Sequence, residues 1–149
     1  MDTMDKVIFV MIGGSLGALS RYAVALLAVK LFGSRFPFGT LIVNLAGCFL
    51  IGLSFSLSER GSSLMNPSIR LFFVTGYLGA LTTFSTFALE TVNTIRLESF
   101  LAALPNILLN NIPGMVLVFL GMWVGRIDNL DFLIDAVRKI QHLLGTLGF

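Results

Sequence analysis

The residues best suited to chemistry in this sequence lie in one short run, residues 75–87, which has the sequence TGYLGALTTFSTF. The run places two glycines, four threonines and a serine inside an otherwise apolar stretch. Glycine weakens a helix, and irregular backbone at membrane depth persists only inside protein or beside water. We therefore predict that the third apolar segment of the chain is a helix broken near its middle, and that the break is an ion site.

Two aromatic residues of this run could contribute to anion binding. If a helix restarts near Thr82, Phe84 and Phe87 lie on one face, and Ser85 and Thr86 lie on its flanks. The edge of a phenyl ring carries partial positive charge, so two rings turned edge-on beside amide and hydroxyl donors can surround a small anion. Phenylalanine is usually a core residue, so this interpretation depends on the polar residues around the rings.

Asn44 is the most informative polar residue of the second apolar segment. It shares one helical face with Thr40 and with the small residue Gly47. An amide at that depth has two donor hydrogens and an acceptor oxygen that lipid cannot satisfy, so it must face protein or a pore. Hydrogen bonding between helices is the favoured interpretation, and contact with a ligand is the alternative. The small neighbours predict a close helix contact beside Asn44.

Four further polar residues within the apolar segments each allow two interpretations. Arg21 either reaches a lipid headgroup or lines an aqueous mouth as a fixed positive charge. Glu90 is either a proton-coupling group or one member of an ion pair. Asn106 and Asn110, one turn apart in the fourth segment, either line the same pathway or tie their helix to its neighbours, and the second interpretation is favoured.

These residues must be positioned by membrane helices. Hydrophobic residues make up 56% of the 149-residue chain, charged residues make up 12%, and the mean hydropathy is +0.91. A helix needs about 20 apolar residues to cross ~30 Å of hydrocarbon. Windows of that length occur at residues 7–31, 38–57, 69–94 and 100–124. We therefore predict an all-α membrane protein with four transmembrane helices and short connections.

The chain divides into a four-helix transmembrane domain, residues 1–127, and a C-terminal tail, residues 128–149. The tail has apolar residues on one helical face and charged residues opposite, which predicts an amphipathic helix. Such a helix lies on the membrane surface or docks against the transmembrane helices. His142 in this tail has no other metal-ligating residue at a suitable spacing, so we do not predict a metal site there.

The same residues argue against other classes of protein. The formal charge of +2, with no basic stripe, does not predict a nucleic-acid partner. No Ser/His/Asp set, metal-ligand cluster or phosphate-binding loop is evident, so we do not predict an enzyme. A single cysteine, Cys48, allows no disulfide within the chain and is interpreted as a packing residue.

The orientation signal is weak. With four spans, the N-terminus, the second loop and the tail lie on one side of the membrane. Basic residues close to the spans number four on that side and three on the other: Lys6, Arg60, Arg70 and Arg126 against Lys30, Arg35 and Arg96. The positive-inside rule needs a larger asymmetry to choose one orientation. We therefore hypothesise that the chain inserts both ways round and forms an antiparallel dimer.

Three separated motifs resemble the small bacterial Fluc (CrcB-type) fluoride channels. They are GALSRY at residues 17–22, FGTLIVNLAG at residues 38–47 and GYLGALTTFSTF at residues 76–87. The resemblance covers all four predicted spans in order, and the tail lies outside it. It implies a fluoride-selective channel of the bacterial inner membrane that passively exports fluoride, built as an antiparallel dual-topology homodimer with two pores and surrounded by lipid.

The resemblance also implies roles for individual residues. Asn44 would donate a hydrogen bond to permeating fluoride, and Phe84 and Phe87 would present ring edges along the pathway. Thr40, Ser85 and Thr86 would be polar lining of the same pathway, and Arg21 would lie at an aqueous vestibule. A structural sodium ion at the dimer centre would be held by backbone carbonyls of Gly79 and Thr82 from both copies.

Two other functions remain as alternatives at this point. A small proton-coupled multidrug exporter is also a four-span dual-topology dimer, but it needs a carboxylate deep in a span, and Glu90 is the candidate. A non-transporting membrane assembly subunit would use all of the polar residues as contacts between helices.

Overall fold

The computed structural model describes residues 2–62, 65–127 and 139. Within these residues the protein is helical, and four helical spans are long and apolar enough to cross a membrane. These spans are Thr3–Phe32, Phe38–Glu59, Pro67–Leu97 and Phe100–Gly125. The four spans predicted from hydropathy are thereby confirmed, with ends that differ by a few residues. The predicted amphipathic tail lies outside the described residues.

The first, second and fourth spans are single helices, which we name α1 (Thr3–Phe32), α2 (Phe38–Glu59) and α6 (Phe100–Gly125). Their ends follow from local sequence. Gly33 has a φ of +77° and donates its N–H to the carbonyl of Val29, which ends α1 in a conformation that favours glycine. The Ser99 hydroxyl accepts from the N–H of Ala102 at 3.1 Å and begins α6.

The third span is built from four consecutive segments. They are α3 (Pro67–Arg70), a π-helix (Leu71–Leu78), α4 (Gly79–Leu81) and α5 (Phe84–Leu97). Between α4 and α5, Thr82 and Thr83 have extended backbone, with φ/ψ of −81°/154° and −153°/110°. α5 therefore begins at Phe84, two residues beyond the predicted restart. The π-helix was not predicted, because hydrophobic periodicity over eight mostly apolar residues does not distinguish it from an α-helix.

Glycines allow the helices to approach closely. A Cβ atom on Gly13 would overlap the carbonyl oxygen of Phe72, and one on Gly17 would overlap that of Tyr77. α1 thus lies directly against the backbone of the π-helix, as small residues four apart predict. α2 and α6 meet in the same way: a Cβ added to Gly52 would overlap the backbone oxygen of Val118, and one added to Gly121 would overlap that of Phe49. A Cβ on Gly125 would lie 2.8 Å from the Cβ of Ser56.

The apolar core lies where α2 meets the third span. Its fully buried members are Val43, Leu78 and Leu81, with Leu50 and Tyr77 among the residues packed on them. Leu78 and Leu81 come immediately before the interruption at Thr82 and Thr83. The core therefore holds the segment that ends at the interruption, and the extended residues start from a fixed position.

The glycine contacts of α1 generate a stability prediction. Gly17→Ala should lower the free energy of unfolding by about 1–3 kcal/mol, because its methyl group forces α1 away from the π-helix backbone. Thermal unfolding in detergent, followed by the fluorescence of Trp123, measures this change. Gly14→Ala is the control, since its Cβ would have its nearest neighbour, the Gly76 oxygen, at 4.0 Å. Equal melting temperatures for the two variants would contradict the packing argument.

Candidate functional site

The side chain of Asn44 is hydrogen-bonded to the backbone of the interruption. Its Oδ1 accepts from the N–H of Thr83 at 2.9 Å, and its Nδ2 lies 3.4 Å from the carbonyl oxygen of Thr83. Both backbone groups of Thr83 thus face one amide from α2. The first of these bonds satisfies a backbone N–H that the interruption removes from the helical ladder, which lipid could not do.

The interruption also changes the partner of a carbonyl in the preceding turn. In a continuous helix the N–H of Thr83 would donate to the carbonyl of Gly79, four residues earlier. Here that N–H donates to Asn44 instead, while Thr82 donates its N–H and its hydroxyl to Leu78 at 3.1 and 3.0 Å. The carbonyl of Gly79 is therefore released from its helical donor and can accept from another group or bind a cation.

Small residues make room for this arrangement. A Cβ on Gly47, one turn from Asn44, would overlap the methyl carbon Cγ2 of Thr82. The close helix contact predicted beside Asn44 is therefore confirmed, and it is a contact between α2 and the interruption itself. A larger residue at position 47 would displace Thr82.

Thr83 begins α5 through its side chain. Its Oγ1 accepts from the N–H of Thr86 at 3.3 Å and lies 3.2 Å from the hydroxyl of Ser85 and 3.0 Å from that of Thr86. Thr83 is buried, whereas Ser85 and Thr86 are exposed on the first turn of α5. Two hydroxyls and a helix N-terminus therefore lie together at the surface of a single copy, where they can donate to an anion.

Phe84 and Phe87 have different environments. Their ring centroids are 5.6 Å apart with an interplanar angle of 54°. Phe87 is 8% exposed, whereas Phe84 is 77% exposed. The two rings border the same space, but Phe84 has one face open in the single chain.

A cavity of about 370 Å³ lies at the interruption. Its lining combines the amides of Asn44 and Asn110, both aromatic rings and the extended backbone, and includes Gly79, Thr82, Thr83, Phe84 and Phe87. The structure thus brings together five of the predicted site residues, Asn44, Gly79, Thr82, Phe84 and Phe87, on one surface. A few polar donors in an otherwise apolar pocket are typical of a small-ligand site.

Hydrogen bonds continue from Asn44 into α6. The Nδ2 of Asn44 donates to Oδ1 of Asn110 at 3.0 Å, and Nδ2 of Asn110 donates to Oδ1 and to the backbone oxygen of Asn106 at 2.9 and 3.0 Å. Asn106, which is 3% exposed, donates from Nδ2 to the hydroxyl of Thr91 at 2.9 Å. Asn106 and Asn110 therefore tie α6 to α2 and α5.

Thr40 does not line this cavity. Its hydroxyl donates to Oε1 of Glu90 at 2.7 Å, and both residues border a second cavity of about 300 Å³ that also contains Arg35. The other carboxylate oxygen of Glu90, Oε2, is buried and has no hydrogen-bond partner among the described residues. Arg21 lies half-buried on α1 and borders neither cavity.

Sequence reasoning did not single out Thr83 or the link from Asn44 to Asn110. A signal for Thr83 was present in the sequence, because threonine is a favoured N-cap residue. Thr83 lies two residues after a run that ends a helix and three residues before Thr86, which is the spacing of an N-cap contact. The pairing of Asn44 with Asn110 joins residues 66 positions apart, and no local pattern reports such a contact.

Comparison with known proteins identifies relatives over most of the chain. The family model described as "CrcB-like protein, Camphor Resistance (CrcB)" matches residues 8–122. A protein of Shewanella woodyi is 46% identical over 118 residues, which are 79% of this chain and 94% of that protein. A protein of Dehalococcoides mccartyi is 40% identical over 124 residues, 83% of this chain and 95% of that protein. Both proteins are named "Fluoride-specific ion channel FluC".

The capping contact predicts the effect of a change at Thr83. Thr83→Val keeps the shape of the side chain but removes the oxygen that accepts from Thr86, so it should destabilise the protein by about 1 kcal/mol. Thr83→Ser keeps the oxygen and should unfold close to the parent temperature. Thermal unfolding in detergent compares them, and an equal loss in both variants would show that the hydroxyl is not what stabilises the start of α5.

Proposed function

The chain belongs to the CrcB-like family, and we propose that it is a fluoride-selective channel through which fluoride leaves the bacterial cell down its gradient. It is a multi-pass protein of the bacterial inner membrane, with four membrane-length spans. The observation that carries the proposal is the cavity at the interruption, where amide hydrogens, aromatic rings and released backbone carbonyls share one surface. Conduction through such a surface requires no covalent step, so the protein is a channel and not an enzyme.

The geometry of Asn44 supports a direct contact with fluoride. One of its N–H groups makes a normal hydrogen bond to Asn110 at 3.0 Å, whereas Nδ2 is 3.4 Å from the Thr83 oxygen. N–H···O bonds are commonly 2.9–3.0 Å long, so the second interaction is weak. The N–H in this weak interaction can exchange the Thr83 oxygen for fluoride at little cost, while Oδ1 and the other N–H of Asn44 stay bound. Fluoride would thereby regain part of the hydration that it loses on entry.

The rings and hydroxyls support the rest of the pathway. Phe84 and Phe87 would present positive ring edges, and Ser85 and Thr86 would offer hydroxyl donors from the first turn of α5. Thr40 would act further along, in the second cavity beside Glu90. Arg21 would raise the local anion concentration at an aqueous vestibule. Close packing around a small ion would exclude chloride, because the larger ion does not fit between the same donors.

The pathway is incomplete in one copy, which supports an antiparallel dual-topology homodimer with two pores. Phe84, at 77% exposed, leaves a large apolar surface beside the polar cavity, and Gly79 is also exposed. A second copy would cover both and complete the wall. The near balance of basic residues on the two sides of the spans supports opposite insertion of the two copies. The remaining apolar surface would contact lipid.

The backbone at the interruption fits a structural sodium ion. The carbonyl of Gly79 has lost its helical donor to Asn44, and Thr82 lies in extended backbone nearby in sequence. Backbone carbonyls are hard oxygen ligands of the kind that small hard cations prefer. We assign Gly79 and Thr82 from both copies as the sodium ligands, and the ion would supply positive charge that balances these carbonyl dipoles at the dimer centre.

The relatives carry channel names, which does not favour the multidrug-exporter or assembly-subunit alternatives. An exporter would also need its coupling carboxylate at the substrate cavity. Glu90 borders the second cavity and not the cavity that contains Asn44. Both observations favour passive conduction.

The first functional prediction concerns transport. Liposomes containing the purified protein should release fluoride on addition of a potassium ionophore, as measured with a fluoride electrode, and should retain chloride. Asn44→Ala and Phe84→Ile should each reduce fluoride flux by at least tenfold, since each removes a group that would contact the ion.

The control for Phe84→Ile is Phe119→Ile, which makes the same change on the 72% exposed ring of α6. It should conduct like the parent. Size-exclusion chromatography must show the same oligomer for all variants, so that loss of flux is not loss of assembly. Equal fluoride and chloride release from the parent would overturn the selectivity proposal.

The second functional prediction concerns sodium. Replacing sodium by N-methylglucamine in the detergent buffer should lower the melting temperature of the dimer. Adding sodium back should raise it in a concentration-dependent way, because an ion that binds the folded dimer stabilises it by mass action. Potassium at equal ionic strength serves as the control for salt screening. A melting temperature that responds equally to sodium and potassium would contradict a specific sodium site.

A further inference from the structure

We propose that Asn110 is a positioning residue for Asn44: it binds one N–H of the Asn44 amide and thereby leaves for the anion the other N–H, whose contact with the Thr83 oxygen is a weak one of 3.4 Å. The proposal rests on the proposed fluoride channel and assigns a role in it to a residue of α6. The role is indirect, because Asn110 would act on fluoride through the orientation of Asn44.

The first support is a chain of hydrogen bonds in which every donor points the same way. It runs from the N–H of Thr83 to Asn44, then to Asn110 and to Asn106. From there it continues through Thr91, whose hydroxyl donates to the carbonyl of Phe87 at 2.8 Å. The chain starts at the backbone of the interruption and ends at the backbone of a residue whose ring borders the cavity.

The second support is that the ends of the chain determine the amide orientations. A backbone N–H can only donate, so the atom of Asn44 that faces Thr83 N must be the oxygen. Nδ2 of Asn44 then faces Asn110, which must present its oxygen in turn. The backbone oxygen of Asn106 can only accept, and it requires the same orientation of Asn110 from the other side. Each asparagine thus has one orientation that satisfies both of its neighbours.

The third support is what a flipped amide would meet. The last torsion of an asparagine side chain is broad and nearly two-fold, so its own energy does not select one orientation. With Asn110 present, a flipped Asn44 amide would place its NH2 group against the Thr83 N–H, donor against donor. It would also place its oxygen against the oxygen of Asn110, acceptor against acceptor. Without the Asn110 oxygen, one of these two penalties is lost. Asn110 therefore strengthens the preference for the orientation in which Oδ1 of Asn44 faces the Thr83 N–H and the NH2 group stays on the side of Asn110 and the Thr83 oxygen.

Asn110→Leu tests the proposal, because leucine has nearly the same shape but accepts no hydrogen bond. Two quantities are measured: fluoride flux from liposomes, and the hydrogen-exchange rate of the Thr83 amide in detergent-solubilised protein. The loss of one hydrogen bond that orients Asn44 should reduce flux and accelerate Thr83 exchange, each by roughly tenfold. Asn110→Ser keeps an oxygen that can accept from Asn44 and donate to Asn106. Relative to Asn110→Leu, this variant should therefore recover a substantial part of the flux and of the slow Thr83 exchange.

Asn111→Leu is the matched control. Asn111 is the next residue of α6, and its Nδ2 donates to the carbonyl of Ile107 in its own helix at 2.7 Å. Asn111 lines the same cavity, so the same substitution there controls for added apolar bulk at the cavity wall and should leave the Thr83 exchange rate unchanged. If Asn110→Leu does not yield a folded dimer, Asn110→Ala, which adds no apolar bulk, is measured in the same way.

The outcomes separate the two proposals. Reduced flux with unchanged Thr83 exchange would overturn positioning, since Asn110 would then act as part of the cavity wall alone. Unchanged flux and exchange would also overturn it. A third outcome is that the parent protein conducts no fluoride, while Thr83 exchange is faster in Asn110→Leu and returns toward the parent rate in Asn110→Ser. That result would support positioning and reject the channel.

Discussion

The structure depends on one contact, in which the side-chain oxygen of Asn44 replaces the helical acceptor of the Thr83 N–H. A helix that stops inside a membrane leaves N–H and C=O groups that neither water nor lipid satisfies. The oxygen of a side-chain amide can accept from such an N–H, while its NH2 group still offers two donors. Its presence on α2 allows the third span to be interrupted at Thr82 and Thr83, and the interruption in turn releases the Gly79 carbonyl and starts a new helix at Phe84. Proposed anion and cation sites therefore share one structural cause.

That contact is possible because helix backbones approach one another closely. Gly47 gives space to the Thr82 side chain, so α2 reaches the interruption, and Gly13 and Gly17 place α1 against the π-helix that precedes it. Apolar side chains gain little by leaving lipid for the protein interior, so close van der Waals contact and hydrogen bonds must hold these helices together. The asparagines of α6 add such bonds, since Asn110 and Asn106 join α6 to α2 and α5. The small residue Gly47 consequently lets Asn44 reach the interruption, and the amide of Asn110 contacts its side chain from the other side.

Sequence patterns were sufficient for the four spans, because twenty apolar residues in a row have few other uses. They also singled out Asn44, Phe84 and Phe87, which the structure places around one cavity, while their role in conduction stays a prediction. They were insufficient to identify the hydrogen-bond partners of these residues. The run at residues 75–87 predicts a disrupted helix, but its composition does not say that Thr83 bonds Asn44, and the π-helix has the same apolar composition as an α-helix. Thr40 shares a helical face with Asn44, yet it bonds Glu90 in another cavity, since one face of a long helix passes more than one site.

The position of Glu90 helps to decide between conduction and coupled transport. Proton coupling needs a carboxylate whose protonation changes the binding of the substrate, so coupling at the proposed fluoride donor would need a carboxylate that touches Asn44 or a group that holds it. Glu90 accepts from Thr40 at 2.7 Å, and the chain of donors that orients Asn44 passes through Asn110, Asn106 and Thr91 without including Glu90. Every member of that chain is a neutral amide, hydroxyl or backbone group, none of which titrates in the physiological range. The proposed fluoride donor is therefore held by groups whose charge does not change with pH, which suits a channel that follows the fluoride gradient better than an exchanger driven by protons.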